Sequence, residues 1–411
     1  MHSDCPTILF GAFDRHNFGD LLLPHVITHM LAPRQVMYAG LVQRDLRGDG
    51  GNRVEAITRL ALTVGDSPVD ILHVGGEILT CSAWEAAVML LPAEPARSVV
   101  ARLDAQRQER TAWAQALLGL ADRAPYLLPA QLFANARHVA YQAVGGFDLD
   151  RVEPAMRSEV VAKLQSATRI SVRDQQTHAI LSACGVACHL APDPAVMVAE
   201  LFGAHIKARR RRGKLAALLS AFPGGYLAMQ FAAEFGDDRT LMALASQIRR
   251  LTQSTGLGVV LFRAGAAPWH DDLSCYRRFA VLGNSASIAL MTSLNLWDIC
   301  ALIAHSRGFI GSSLHGSIVA AAYALPCLGL LRPGRPGQLP QTSKQTAFWS
   351  TWSPASLPGV VPIEVLADSM EHAMATDPVE RATLAKGLVD ACRLSLQLTP
   401  RSTTAYGSER G

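Results

Sequence analysis

Charge is scarce in this chain. Only 18% of its 411 residues are Asp, Glu, Lys or Arg, against about 25% in ordinary globular proteins, and 49% are hydrophobic. Intrinsic disorder is therefore excluded for most of its length. The net charge of 38 − 34 = +4 is too small and too evenly spread to suggest a nucleic-acid partner. A mild positive excess suits an anionic small molecule or an anionic membrane surface. The eight cysteines form no CxxC pair, which argues against a disulfide scaffold and for a reduced, cytoplasmic setting. Cys184 and His189 lack the second ligand pair that structural zinc needs, so neither a metal nor a cofactor is expected. A Walker loop and a GxSxG nucleophile elbow are both missing. No basic region precedes the first apolar run, which reads against a signal peptide. The stretch from Gly308 to Leu331 carries no Lys, Arg, Asp or Glu, but Gly311, Gly316 and Pro326 interrupt it. A membrane span wants about 20 apolar residues, so strand, helix, strand is the better reading and the protein is expected to be soluble.

What is present is alternation. Thr7–Phe13, Val69–Val74, Val139–Val144 and Thr168–Val172 are short apolar runs of strand length, separated by helical patterns at Gly19–Met30, Ala101–Leu120 and up to Leu181. The alternation restarts after the basic block Lys207–Lys214, with strands at Tyr226–Gln230, Leu257–Phe262, Ser287–Met291, Gly308–Gly311 and Pro326–Leu331. Helical patterns at Leu296–Ala304 and Gly316–Tyr323 lie between them. This predicts an α/β protein with two Rossmann-like lobes facing a cleft. The expected divisions are an N-terminal lobe over 1–205, a C-terminal lobe over 206–345, closing helices over 346–398 and a polar tail over 399–411. Arg332–Gly337 reads as a loop from its Gly and Pro content. The basic block reads as a solvated linker or helix face, with a lipid-phosphate contact as the alternative.

In open parallel sheets ligands bind beyond the carboxyl ends of the strands, so the residues there carry the functional signal. Gly11 to Asp20 follows the first strand, with Gly11 and Gly19 at tight turns and Asn17 and Asp20 as polar groups; Asp20 also fits a helix-start carboxylate. Gly75 and Gly76 end the second strand and allow close backbone approach, and Glu77 follows as a proton acceptor or as a helix-start acid. His73, inside that strand, reads as a core histidine. Arg173 follows a buried strand, where its fork suits a carboxylate or phosphate, or an internal salt bridge. Asp193, between two prolines, is a helix-cap candidate first and a site residue second. Ser312, Ser313 and Leu314 lead into a small-residue helix whose N-terminus suits an anion, with His315 placed to bind phosphate or move a proton.

In this order the segments resemble the polysaccharide pyruvyl transferase family. The matching elements are Gly11 with Asn17-Phe-Gly-Asp20, Asp70 to Gly76, Val144 to Gly146, Ser171 to Asp174, Asp193-Pro194, Leu314-His315 and Leu325-Pro326, spanning residues 7 to about 331. The resemblance implies a fold similar to the GT-B glycosyltransferases. It also implies transfer of pyruvate from phosphoenolpyruvate to two hydroxyls of one sugar as a cyclic ketal, with Arg173 and His315 lining the donor site. Many members carry arginine immediately before Leu-His; here Ser313 stands there, removing one cation. Arg263, Arg332, Arg335 and Lys344 are the candidate substitutes. On this reading His315 is the acid or phosphate ligand, Arg173 holds the donor, and Asp20 or Glu77 orients or deprotonates the acceptor. The acceptor would be a glycan or lipid-linked sugar, with peripheral contact at the inner membrane face through Lys207–Lys214. The alternatives are a GT-B-type glycosyltransferase using a nucleotide-sugar donor, and a non-catalytic scaffold that binds anions or sugars.

Overall fold

The computed structural model describes residues 5–211, 213–283, 287–332, 343–357 and 359–397. The first sheet holds eight strands: β1 (Thr7–Phe10), β2 (Val36–Gly40), β3 (Arg44–Asp45), β4 (Arg53–Ala56), β5 (Val69–Val74), β6 (Ala136–Val144), β7 (Arg169–Val172) and β8 (His189–Leu190). Their order is β3-β4-β2-β1-β5-β6-β7-β8, parallel throughout except for the short antiparallel β3–β4 pair. The second sheet holds β9 (Tyr226–Gln230), β10 (Gly258–Leu261), β11 (Ile288–Leu290), β12 (Phe309–Gly311), β13 (Cys327–Leu330) and β14 (Val360–Val361). It is wholly parallel, in the order β11-β10-β9-β12-β13-β14. The central strands β1, β9 and β10 are buried along their whole length, as continuous apolar runs in covered parallel sheets should be.

The strand order reverses between β1 and β5 in one sheet and between β9 and β12 in the other. These reversals open crevices at the strand ends, where ligands of such sheets bind. The loop after β1 crosses to the second lobe. Phe18 donates its backbone N–H to the Ala264 carbonyl at 2.8 Å, and Ala266 donates to the His16 carbonyl and to His16 Nδ1. With Nδ1 accepting, Nε2 of His16 carries the proton and donates to the Leu294 carbonyl at 2.7 Å. One buried apolar cluster runs through both lobes, joining Leu9, Phe18 and Leu22 to Phe262, Phe309 and Ile318.

The chain's last helices tie the halves together again. In the Lys344–Trp352 helix, Gln345 donates to the Gly311 carbonyl and Trp352 Nε1 to the Arg173 carbonyl. The Pro378–Gln397 helix returns to the first lobe, where Ser395 accepts from Gln142 and Arg169.

Some expectations are corrected. Ala101–Leu120 is not one helix but the end of Ala93–Leu103 and all of Arg107–Leu118. The pattern ran on because Asp104-Ala-Gln106 holds neither Gly nor Pro. Breaking there lets Leu103 and Trp113 both reach the cluster around Trp84 and Val88. Strands β2, β3 and β4 were not anticipated; β2 begins with three half-buried residues and shows no clean apolar run. The basic block starts at the end of the Val198–Arg209 helix, where Arg209 pairs with Asp298 at 2.5 Å. Arg212, most of the 332–337 loop and the 399–411 tail lie outside the described residues. Among those described, no helix is long and apolar enough to cross a membrane.

The ring of Phe18 is fully buried edge-on to Phe262 and His315. Phe18→Ala should therefore cost about 3–5 kcal/mol. A lowered denaturation midpoint checks this, and a change below ~1 kcal/mol would contradict a core shared by both lobes.

Candidate active site

Local capping sets the site's frame. Asn17, extended at φ −142°, caps the Phe18–Leu31 helix by accepting from the Gly19 N–H at 3.0 Å, which turns Asp20 toward the cleft. Asp14, just before, is buried and accepts from the Leu41 and Val42 N–H groups and from Tyr126; burial holds its carboxyl above the usual range. Asp174 caps the Gln175–Ala183 helix through the Thr177 N–H and hydroxyl rather than pairing with Arg173. Ser313 caps the Leu314–Ala322 helix by accepting from the Gly316 N–H, while its own N–H donates to Gln230 Oε1. Ser312 accepts from the Ala232 N–H. Each serine hydroxyl at this helix start thus accepts an N–H from the protein itself.

Four ionisable side chains meet beneath the cleft. Arg173, only 2% exposed, donates Nη2 to Glu77 Oε2 at 2.5 Å and Nη1 to Asp193 Oδ2 at 3.2 Å. His315 comes from the other lobe, and its Nε2 lies 3.3 Å from the same Asp193 oxygen. That Nε2 is buried and makes no aligned hydrogen bond. Asp193 also caps its own turn by accepting from the Ala195 N–H. Burial alone would push its carboxyl up, but His315, Arg173 and that N–H hold it down, at about 2. Two glycines make room for this cluster. A Cβ on Gly145 would sit 2.5 Å from Glu77 Oε2 and 2.7 Å from Arg173 Nη2, and one on Gly19 would overlap the His315 ring.

Above the cluster lies a cavity of about 220 Å³ lined by residues of both lobes. Of the sequence-predicted residues, Asn17, Asp20, Gly76, Glu77, Arg173, Leu314, His315 and Lys344 line it. Gly11, Gly19, Gly75, Ser312, Ser313 and Arg263 do not. Gly19 and Gly75 shape its floor through contacts with His315 and Leu23, and the buried Nε of Arg263 has no partner. Arg332 lies apart, paired with Glu234, and Arg335 falls outside the described residues. His73 is a core residue: Nε2 accepts from the Leu128 N–H, Nδ1 donates to the Ala140 carbonyl, and burial pushes its pKa down to about 3.

Sequence reasoning missed Arg15, His270, Thr80 and Cys81, which also line the cavity. Arg15 donates to the Tyr126 hydroxyl at 3.0 Å with its guanidinium 5.1 Å from the ring centre. Among the described residues no carboxylate oxygen lies within 4 Å of it, and its buried Nε has no partner. Desolvation opposes its charge, but Tyr126, followed by Cys81, Asp20 and Asp14, keeps its pKa raised, so the cation persists. His270 is pushed down to about 3 by burial and then by Arg15, Lys344 and His16, which makes it neutral near pH 7. Burial pushes the Cys81 thiol up to about 12, so no thiolate nucleophile is available there. The cavity therefore combines a neutral imidazole, a carboxylate at Asp20, a cation at Arg15 without an ion-pair partner, an exposed amine at Lys344, and His315.

The family model of polysaccharide pyruvyl transferase matches residues 146–332. This stretch carries Arg173, Asp193 and His315, and the match supports a transferase. No curated protein matches the chain. Among solved structures, UDP-N-acetylglucosamine 2-epimerase from Rickettsia bellii is similar, with TM-score 0.52 and 11% identity over 95% of this chain and 94% of that one. The UDP-GlcNAc 2-epimerase of Methanocaldococcus jannaschii, solved with UDP-GlcNAc and UDP, gives TM-score 0.52 and 10% identity over 94% and 99%. That of Neisseria meningitidis, bound to UDP-GlcNAc, gives 0.50 and 11% over 94% and 98%. At such identities the likeness is one of fold: two parallel-sheet lobes of GT-B type.

Removing one partner of a buried ion pair costs about 3–5 kcal/mol, so Asp193→Asn should destabilise the protein by that order. In the wild type, the Asp193 carboxyl falls from an ordinary 3.8 to about 2 on folding, so the unfolded chain binds the extra proton. This contribution is full above pH ~4 and is lost as pH falls toward 2. Chemical denaturation across pH 2–6 should show the wild type losing stability on acidification more steeply than Asp193→Asn. Parallel curves would contradict the network.

Proposed function

We propose that this protein transfers pyruvate from phosphoenolpyruvate to two hydroxyls of one sugar, forming a cyclic ketal. The observation that carries the reading is a small cavity between the lobes with a cation lacking an ion-pair partner on one side and an imidazole on the other. At about 220 Å³ it falls below the ~300–1,000 Å³ typical of sites for larger ligands and suits a compact polyanion. Arg15 and Lys344 are the counter-charges for the donor's phosphate and carboxylate. Arg173, with both arms of its fork taken by carboxylates, acts as a positioning residue that fixes Glu77 and Asp193. The family match over the segment holding Arg173 and His315 supports the same chemistry.

In the proposed reaction His315, as imidazolium, gives a proton to the methylene carbon of the donor. The adjacent carbon gains oxocarbenium character, and a sugar hydroxyl adds to it. Cleavage of the carbon–oxygen bond releases phosphate, and a second hydroxyl closes the ketal. Two hydroxyl protons leave the sugar: one balances the proton added to the methylene carbon, and the other departs with phosphate. Asp20 is the favoured acceptor of the hydroxyl proton, because both Glu77 oxygens are already engaged, by Arg173 and by the Phe147 N–H.

A nucleotide-sugar transferase reading draws on the fold, since two of the neighbours above were solved with UDP-GlcNAc. Incubation with phosphoenolpyruvate and candidate acceptors should release phosphate and add one pyruvate, less water, to the sugar. His315→Ala should lower turnover at least ~100-fold. Arg15→Gln should abolish the thermal shift given by phosphoenolpyruvate without lowering the melting temperature of the free protein. A shift with UDP-sugars and none with phosphoenolpyruvate would replace this reading with the glycosyltransferase one.

A further inference from the structure

A second cavity, of about 800 Å³, opens beside the first and shares Thr80 and Glu85 with it. Its character is different. The charges on its wall are already balanced: Arg107 pairs with Glu153 at 2.7 Å, Arg123 with Glu153 at 3.8 Å and Arg110 with Asp104 at 3.5 Å. Two indoles meet on its wall, the buried Trp84 from the first lobe and the half-exposed Trp269 from the second, in a tilted contact with ring centres 6.4 Å apart and planes at 55°, which leaves the outer face of Trp269 open. The Arg110 guanidinium stands 5.9 Å over the Trp84 ring.

Trp269 is an anomaly. It is 48% exposed, and its φ of +65° is a backbone conformation that side chains of this size rarely adopt. Its neighbours are firmly held: Asp271 accepts from the Ala264 N–H, and the His270 carbonyl accepts from the Ala233 N–H. The indole is therefore held outward by the fold at a conformational cost. An open aromatic face beside guanidinium–carboxylate pairs suits a polyhydroxylated ring. Its C–H face packs on the indole, while its hydroxyls exchange hydrogen bonds with the paired charges. An anionic ligand would find no unspent cation among these pairs.

We propose that this cavity binds a neutral pyranose unit of a glycan, with Trp269 as its platform, and presents the sugar's diol to the smaller cavity. Naming that sugar as the acceptor rests on the pyruvyl-transfer reading; the binding of the glycan does not. The test is titration of the full-length protein, without phosphoenolpyruvate, against an array of neutral oligosaccharides ending in glucose, galactose, mannose or N-acetylglucosamine. Intrinsic fluorescence and calorimetry follow the binding. At least one should bind saturably, and Trp269→Gly should weaken it about tenfold or more. Glycine also relieves the positive φ, so the variant's melting temperature should hold or rise, and its response to phosphoenolpyruvate should persist. The proposal is overturned by a wild type that binds no glycan up to roughly 10 mM, about tenfold beyond a 1 mM dissociation constant. Unchanged affinity in Trp269→Gly, or affinity lost together with stability, overturns it too. Glycan binding with no response to phosphoenolpyruvate keeps this cavity's assignment and defeats the pyruvyl-transfer reading.

Discussion

A guanidinium keeps its charge even when almost completely buried, so the cost of taking it out of water has to be offset from within the protein, and Arg173 draws two carboxylates into the interior. Glu77 arrives from the end of β5, and Asp193 from the turn after β8. Asp193 then reaches across to His315, which belongs to the other lobe. Arranged this way, one cation fixes two strand ends and the approach of the second sheet. Such networks add little net stability over apolar packing of the same volume. Their consequence here is positional: the imidazole has one place to stand, wedged between Asp193 and the bare backbone of Gly19.

The cavities on either side of Glu85 divide charge between them in opposite ways. In the smaller one, Arg15 has no carboxylate within ion-pair distance among the described residues, and its charge is exposed to whatever enters. In the larger one every arginine on the wall has an acidic neighbour. Desolvating a ligand's negative charge is repaid only where protein charge is left over. By that criterion the proposed anionic donor and the proposed neutral sugar would sort to the first and the second cavity, which share Thr80 and Glu85.

Much of this architecture was legible in the sequence, because buried parallel strands are written as uninterrupted apolar runs. Val69–Val74 and Tyr226–Gln230 were read to the residue. Strands β2 to β4 were not, since half-exposed strands leave no such run. The same contrast holds in the site. Glu77, Arg173 and His315 announced themselves by following strands directly. Arg15 lies in a loop whose sequence signal is its glycines and its cap, and nothing in one sequence says which of Asp14, Arg15 and His16 faces the cavity. His270 follows Pro-Trp in a segment with no periodic signal at all. Which charges neutralise each other is decided by strands far apart in the chain, as with Glu77 and Arg173, and local spacing does not encode it.

The serine at position 313 puts no cation at the start of the Leu314–Ala322 helix. Its hydroxyl closes the first turn of the Leu314–Ala322 helix, and its N–H is taken by Gln230, which in turn donates to Asp271. What that helix start still offers an anion is the N–H groups of its first turn and the helix dipole, and one dipole end supplies only about half a unit charge. A doubly or triply charged ligand in the smaller cavity must therefore find its counter-charges elsewhere on the wall. Among the described residues, the cations there without an ion-pair partner are Arg15, from the first lobe, and Lys344, from the helix that spans both. One of these cations comes from the first lobe and the other from a helix packed on the second, so only the closed arrangement of the lobes brings both charges to one cavity.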